Sequence, residues 1–251
     1  MRNTRSETRT VVGYGEKGPI MKKICLAVMV ALLAGCFGKN VFDAYKSGDK
    51  EYVYDYVRSG GNVCLRKNEA DYNISLLTLA IANDDKKLVD LILGSKSFSV
   101  EFELSPDGYG WTALHAAAAH RMNHVLVKML PEVPDVNLFD GTTPGTPLIY
   151  AVIQQNYEGM RLLLEHKSMD VNRVNPLDET KLTVSHAAAV RGDLEALKLL
   201  KKYGADFSQK NSKGEDVETC VVNYMKMPEY MNEEKEKKLK LVLKYLSENK
   251  K

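Results

Sequence analysis

Three stretches decide the reading: Thr112-Ala113-Leu114-His115-Ala116-Ala117, Thr146-Pro147-Leu148-Ile149-Tyr150-Ala151 and Thr183-Val184-Ser185-His186-Ala187-Ala188. Each ends on an alanine, and the same residue recurs upstream. The series Ala44, Ala80, Ala117, Ala151, Ala188 has spacings of 36, 37, 34 and 37 residues. Nine residues after each alanine comes an apolar position: Val53, Val89, Leu126, Met160, Leu197. Three residues further are Tyr56, Ile92, Met129, Leu163 and Leu200; one more gives Val57, Leu93, Leu130, Leu164 and then the exception, Lys201. Apolar residues at i, i+3 and i+4 share one face of a helix. Each period therefore predicts an inner helix around the alanine, where a small side chain lets neighbours approach closely, and an outer helix that fills the gap between units. One such unit cannot bury its apolar face alone, so stability has to come from stacking.

The pattern resembles ankyrin repeats, whose unit is about 33 residues long with a T-P-L-H-x-A signature. The stretch 146–151 departs from the signature at the histidine and 112–117 departs at the proline. The fifth unit continues through Arg191-Gly192-Asp193-Leu194-Glu195 to Tyr203-Gly204-Ala205-Asp206, close to the family consensus; the first keeps Lys46-Ser47-Gly48-Asp49 and Ser59-Gly60-Gly61-Asn62-Val63. Gly48, Gly60, Gly192 and Gly204 suit helix ends that need a left-handed residue. The resemblance covers residues 40–210 and implies an all-α ankyrin-repeat solenoid of five helix-turn-helix units with β-turn fingers. Helix pairs are expected near 40–63, 76–95, 113–130, 147–166 and 184–203. Residues 211–251 depart from the pattern. Val217, Val221 and Tyr224 predict one helix and Pro228 breaks it. Leu239, Val242, Leu243 and Leu246 then form a stripe among lysines and glutamates, which reads as a sixth, irregular unit capping the stack.

The ends of the chain differ in charge. Residues 1–35 carry six basic and two acidic side chains, so the net charge of +2 leaves −2 for residues 36–251. A slightly acidic folded part lacks the electrostatic footprint of a nucleic-acid binder. Residues 21–35 read as a signal peptide: Lys22-Lys23, then the uncharged run Ile24–Ala34, too short for the roughly 20 residues of a bilayer-spanning helix. Leu33-Ala34-Gly35-Cys36 resembles the lipobox of bacterial lipoproteins. That resemblance implies lipidation of Cys36, cleavage before it, a tether over 36–39 and an envelope location facing the periplasm. Phe37, where an Asp would retain the protein in the inner membrane, points to the outer membrane. Residues 1–20 precede a complete signal and read either as a mis-assigned start or as a second start site giving a longer, cytoplasmic product.

Little in the chain suggests catalysis, a cofactor or a metal. Cys64 and Cys220 remain after the leader; they lie at opposite ends of the array, whereas a disulfide needs α-carbons within about 7 Å. His115 and His186 hold the signature position, where ankyrin histidines bond neighbouring backbone. His120 and His124 flank an inter-helix turn, and His166 sits near a helix end, where a cation is favourable. Ser185-His186 lacks a nucleophile elbow, and adjacent helical side chains point apart. The expected activity is binding. The resemblance places a protein partner against the concave face, at Tyr109, Trp111 and His120 in the third unit, Ile153 and Gln154 in the fourth, and Leu182 and Arg191 in the fifth, with Ala119 and Val190 beside them. The finger from Pro131 to Pro144 is a further contact surface. Among similar bacterial proteins, two roles fit: an immunity lipoprotein that neutralises a type VI secreted lipase or other toxin, and a periplasmic ankyrin protein that supports catalase in peroxide defence. A structural envelope lipoprotein is the third reading.

Overall fold

A computed structural model describes residues 40–69, 72–104, 110–140, 145–176 and 178–249. The leader, Cys36 and Tyr109 lie outside the described residues. Five helix pairs follow in order: α1 (Val41–Lys46) with α2 (Lys50–Arg58), α3 (Leu76–Ala82) with α4 (Lys86–Leu93), α6 (Ala113–Ala119) with α7 (Asn123–Met129), α8 (Pro147–Ile153) with α9 (Tyr157–Leu164), and α10 (Val184–Arg191) with α11 (Leu194–Lys202). A short helix, α5 (Val100–Glu103), lies in the connection between the second and third units. Inner helices pack against inner, outer against outer, and the row Ala44, Ala80, Ala117, Ala151, Ala188 is 0% exposed throughout. The aliphatic stripe of the outer helices fills the layer between, with Val53, Val89, Leu126, Met160 and Leu197 also wholly buried. At the exception in the stripe, the Lys201 ammonium sits 5.2 Å from the centre of the Phe207 ring.

The ends of the helices follow rules set by the sequence. The inner helices begin at Asn40, Ser75, Thr112, Thr146 and Thr183; Ser75, Thr146 and Thr183 each accept the amide three residues on, satisfying a donor that the helix leaves orphaned. Four outer helices are capped the same way by Asp49, Asp85, Asn156 and Asp193, while Met122 holds that position in the third unit and makes no cap bond. Between each inner and outer helix one residue is left-handed: Gly48, Asp84, Arg121, Gln155 and Gly192. Only the first and last are glycine, so the middle three units hold a side chain in a region that costs roughly 1–2 kcal/mol for an L-residue.

Two features go beyond the sequence reading. The connection between the first and second units is an antiparallel hairpin of β1 (Arg66–Glu69) and β2 (Tyr72–Ser75), with Arg66 opposite Ser75. The first pair ends at Arg58, short of 63, because Gly60 turns the chain at φ 87°. The cap follows the expected outline. Helix α12 (Val217–Tyr224) continues the inner layer against α10, a 3-10 turn at Pro228–Tyr230 breaks the chain, and α13 (Glu233–Glu248) closes the end by burying Leu239, Val242 and Leu246. The outer face of α13 carries i,i+4 pairs, Lys237 with Glu233, Lys238 with Glu234 and Lys240 with Glu236, but leaves Leu241 exposed among them. No helix among the described residues is long and apolar enough to cross a membrane.

Candidate functional site

The concave face is built from the inner helices and the residues just before them. Its floor is uncharged across the middle units: Leu79, Ala119, Tyr150, Ile153, Ala187 and Val190 are half-buried and open to solvent on that side. The rim where the inner helices end carries His120, Gln154 and Arg191, all exposed and one period apart. Arg191 Nη2 donates to the Ile153 carbonyl at 2.7 Å, so the rim is tied from one unit to the next. Leu182, before α10, is half-buried. The structure thus arrays Trp111, Ile153, Gln154, Leu182, Arg191 and His120 along successive units of one face; Tyr109 falls outside the described residues.

Trp111 is half-buried and belongs to an aromatic cluster. Its ring stacks on His115 at 5.7 Å and meets Tyr150 edge-on at 4.6 Å and 81°. The Tyr150 hydroxyl donates to the Asp140 carboxylate from the next finger. Part of the indole is therefore spent on clamping the third unit to the fourth, and the remainder is open to solvent. His115 anchors the cluster from below. Its Nδ1 accepts the Thr112 amide at 3.2 Å and its Nε2 reaches the Leu138 carbonyl at 3.3 Å. Burial pushes the ring's pKa down to about 4, against the opposing charge of Asp140. His186 repeats the device two units on, from the Thr183 amide to the Glu215 carbonyl, and burial lowers its pKa too.

The second unit has no histidine and meets the same need with an acid. Ser75 hydrogen-bonds the Glu103 carboxyl, which is 1% exposed. Burial pushes Glu103 up to about 7, against the Ser75 hydrogen bond and the nearby charge of Arg66. Arg66 itself is bonded to the Phe102 carbonyl and lies over the Phe102 ring. At the first junction, Asp85 gathers Lys50 at 2.9 Å and the hydroxyls of Tyr54 and Tyr45 at 3.0 and 3.2 Å. Burial works against this carboxylate, but Lys50, the Leu88 amide and Tyr54 hold it below the usual range.

Sequence reasoning missed a second set of junction residues. Asn137 donates to the Ser168 carbonyl at 2.6 Å and accepts the Asp170 amide at 3.0 Å. Asn172 does the same one unit on, with the Gly204 carbonyl at 3.1 Å and the Asp206 amide at 2.8 Å. The recurring pairs Val136-Asn137 and Val171-Asn172 were the available signal. The clamp pins the finger read as a further contact surface, in which Val133, Val136, Phe139 and Asp140 are buried and Pro131, Glu132, Pro134 and Asp135 are exposed. His166 is also absorbed internally, its Nε2 reaching the Leu130 carbonyl at 3.2 Å and its Nδ1 the Ser168 hydroxyl at 2.9 Å. It sits just past the end of α9, near a helix end as expected. His124 lies 3.5 Å from Asp90, and no group of metal-ligating side chains forms among the described residues. Cys64 and Cys220 are free.

A stack of capped helix pairs with an apolar concave floor defines the class of a helical repeat solenoid. The fold is that of an ankyrin-repeat solenoid, and the family model described as ankyrin repeats (3 copies) matches residues 118–211. The chain is 31% identical over 156 residues to the nuclear factor NF-kappa-B p105 subunit of Gallus gallus, covering 62% of this chain and 15% of that protein. It is 31% identical over 144 residues to the human transient receptor potential cation channel subfamily A member 1, covering 57% and 12%. A third relative, ankyrin repeat protein nuc-2 of Neurospora crassa, is 28% identical over 49% of this chain and 12% of its own length. The chain thus spans 15% or less of these curated relatives.

Proposed function

We propose that this protein is a lipid-anchored scaffold of the bacterial envelope whose concave face holds a protein partner in the periplasm, and that the partner is a toxin, best a lipase delivered by a type VI secretion system. The observation that carries the binding reading is the uncharged floor running over successive units beneath the half-exposed Trp111 and Tyr150. Aromatic and arginine side chains dominate binding hot spots, and Trp111, Tyr150 and Arg191 lie along this one face. The anchoring reading rests on Leu33-Ala34-Gly35-Cys36. Acylation by more than one chain gives stable attachment, and attachment beside the bilayer suits protection against an enzyme that attacks lipid.

The test has two arms. Cys36→Ser should release the chain from membranes; a variant that fractionates like the wild type ends the anchoring reading. A toxin encoded beside this gene should bind the chain tightly, and cells should be protected only by the exported form. Recovery of a catalase from envelope extract would move the proposal to peroxide defence, and recovery of no specific protein would leave a structural lipoprotein.

A further inference from the structure

Residues 95–104, in the connection between the second and third units, are tied at three places to the chain that leaves the first unit. The Ser97 hydroxyl donates to the Gly61 carbonyl at 3.2 Å and accepts the Val63 amide at 3.1 Å, and the Ser97 carbonyl accepts the Cys64 thiol at 2.9 Å. Arg66 on β1 donates to the Phe102 and Leu104 carbonyls, on either side of Glu103. Glu103 itself meets the Ser75 hydroxyl, where β2 ends and α3 begins. The intervening helix α5 has four residues and buries Val100 and Glu103. So short a helix has little stability of its own, so these ties hold it in place.

The Glu103 tie differs from the other two because it needs a proton. The Ser75 hydroxyl accepts the Thr78 amide at 3.0 Å and has one proton for two acceptors, the Thr78 hydroxyl at 2.9 Å and the Glu103 carboxyl. A proton on Glu103 lets both bonds form at once. Without it a charge is left on a side chain that is 1% exposed, which is costly. Few charged groups surround it. Arg66 favours the ionised form, but its guanidinium is turned to the two carbonyls. Lys67 on β1 is paired with Asp43, and Glu69 and Tyr72 face each other in register at the far end of the hairpin. The Cys64 thiol is raised by burial, with Glu103 adding to it. Glu101 on α5 is exposed, and α3 has no ionisable side chain. Because Glu103 is raised above its unfolded value to about 7, the tie is present in acid and is lost as pH rises through that value.

We propose that residues 95–104 are a proton-operated strap: with Glu103 protonated the strap lies closed on the hairpin, and loss of that proton lifts α5 away from Ser75 and bares Cys64 and Val100. The scaffold thereby responds to the acidity of its surroundings, and this response does not depend on which face holds a partner.

Hydrogen exchange of the full chain at about pH 5.5 and about pH 8, corrected for the intrinsic exchange rate, tests it. The amides of Phe102, Glu103 and Leu104 bond back to Ser99 and Val100. They should lose about tenfold or more of their protection at the higher pH, while the amides of α9 keep theirs. Glu103→Gln keeps the shape of the side chain and can bond Ser75 without a charge, so it should abolish the pH dependence. Iodoacetamide should alkylate Cys64 faster in the wild type than in Glu103→Gln at the higher pH, with Cys220 reacting alike in both. Equal protection of the strap at both pH values in the wild type would overturn the inference, whatever the variant does. An equal loss in Glu103→Gln would overturn it as well. A loss spread over all five units would show general unfolding in place of a strap, and would also overturn it.

Discussion

The junction after the second unit and the junction after the third do the same structural work with opposite chemistry. After the third unit, a buried imidazole links the Thr112 amide to the Leu138 carbonyl, and its base is held uncharged. After the second, a buried carboxyl takes its place against Ser75, and burial favours its protonated form. A repeat fold fixes where a polar group has to be satisfied between units but leaves open whether an acid or a base does it. The family match begins at Ala118 and covers the histidine-type junction at His186. The Glu103 junction lies before it, where the chain departs from the signature.

The largest expected effect breaks the imidazole junction. His115→Ala removes a wholly buried ring, an acceptor and an inter-unit bond, and should cost about 3 kcal/mol in urea unfolding. His186→Ala, next to the cap, should cost a similar amount; a loss below 1 kcal/mol for both would show that stacking alone holds the fingers.

The second prediction separates the junctions by pH. Glu103 is raised above its unfolded value, so its contribution is fully present below about pH 4.5 and is lost as pH rises through about 7. His115 is lowered, so its contribution is present above about pH 6.5 and is lost as pH falls towards 4. Glu103→Gln should therefore remove a stability loss of the order of 2 kcal/mol between pH 4.5 and 7. Unfolding curves at both pH values measure it, and an unchanged slope would mean that Glu103 is not the titrating group.

The third concerns the ends of the stack. Gly48 and Gly192 are both left-handed, but a β-carbon at Gly48 meets nothing within 4 Å, whereas at Gly192 it meets the cap. Gly48→Ala should cost about 1 kcal/mol, and Gly192→Ala about twice that, with α13 loosening first in hydrogen exchange. The smallest effect has the opposite sign. Arg121→Gly relieves a left-handed arginine at φ 57° and should stabilise by about 0.5 kcal/mol after the entropy of glycine is charged against it.

Much of this fold could be read from the chain because its signals are periodic. The buried alanine row and the stripe Leu239, Val242, Leu243 and Leu246 each follow from spacing; the alanines, Leu239, Val242 and Leu246 are buried and Leu243 is half-buried. Glu103 could not be read this way. In Val100-Glu101-Phe102-Glu103 nothing distinguishes the glutamate that turns inward from the one that faces water. Nor does spacing announce a left-handed turn at Asp84, Arg121 or Gln155, since glycine marks it only in the outer units. The candidate face was legible as a row of positions. Its use of Trp111 as a clamp on Tyr150 depends on packing that no repeat pattern encodes.

The account stands on the concave face as the place where a partner is held. The direct test is capture from envelope extract with the full chain, run beside Ile153→Arg on the floor of the groove and Val127→Arg on the outer helices, where Val127 is 57% exposed. The account predicts one protein recovered by the wild type and by Val127→Arg and lost with Ile153→Arg. The same protein recovered equally by Ile153→Arg, or lost only with Val127→Arg, would contradict it.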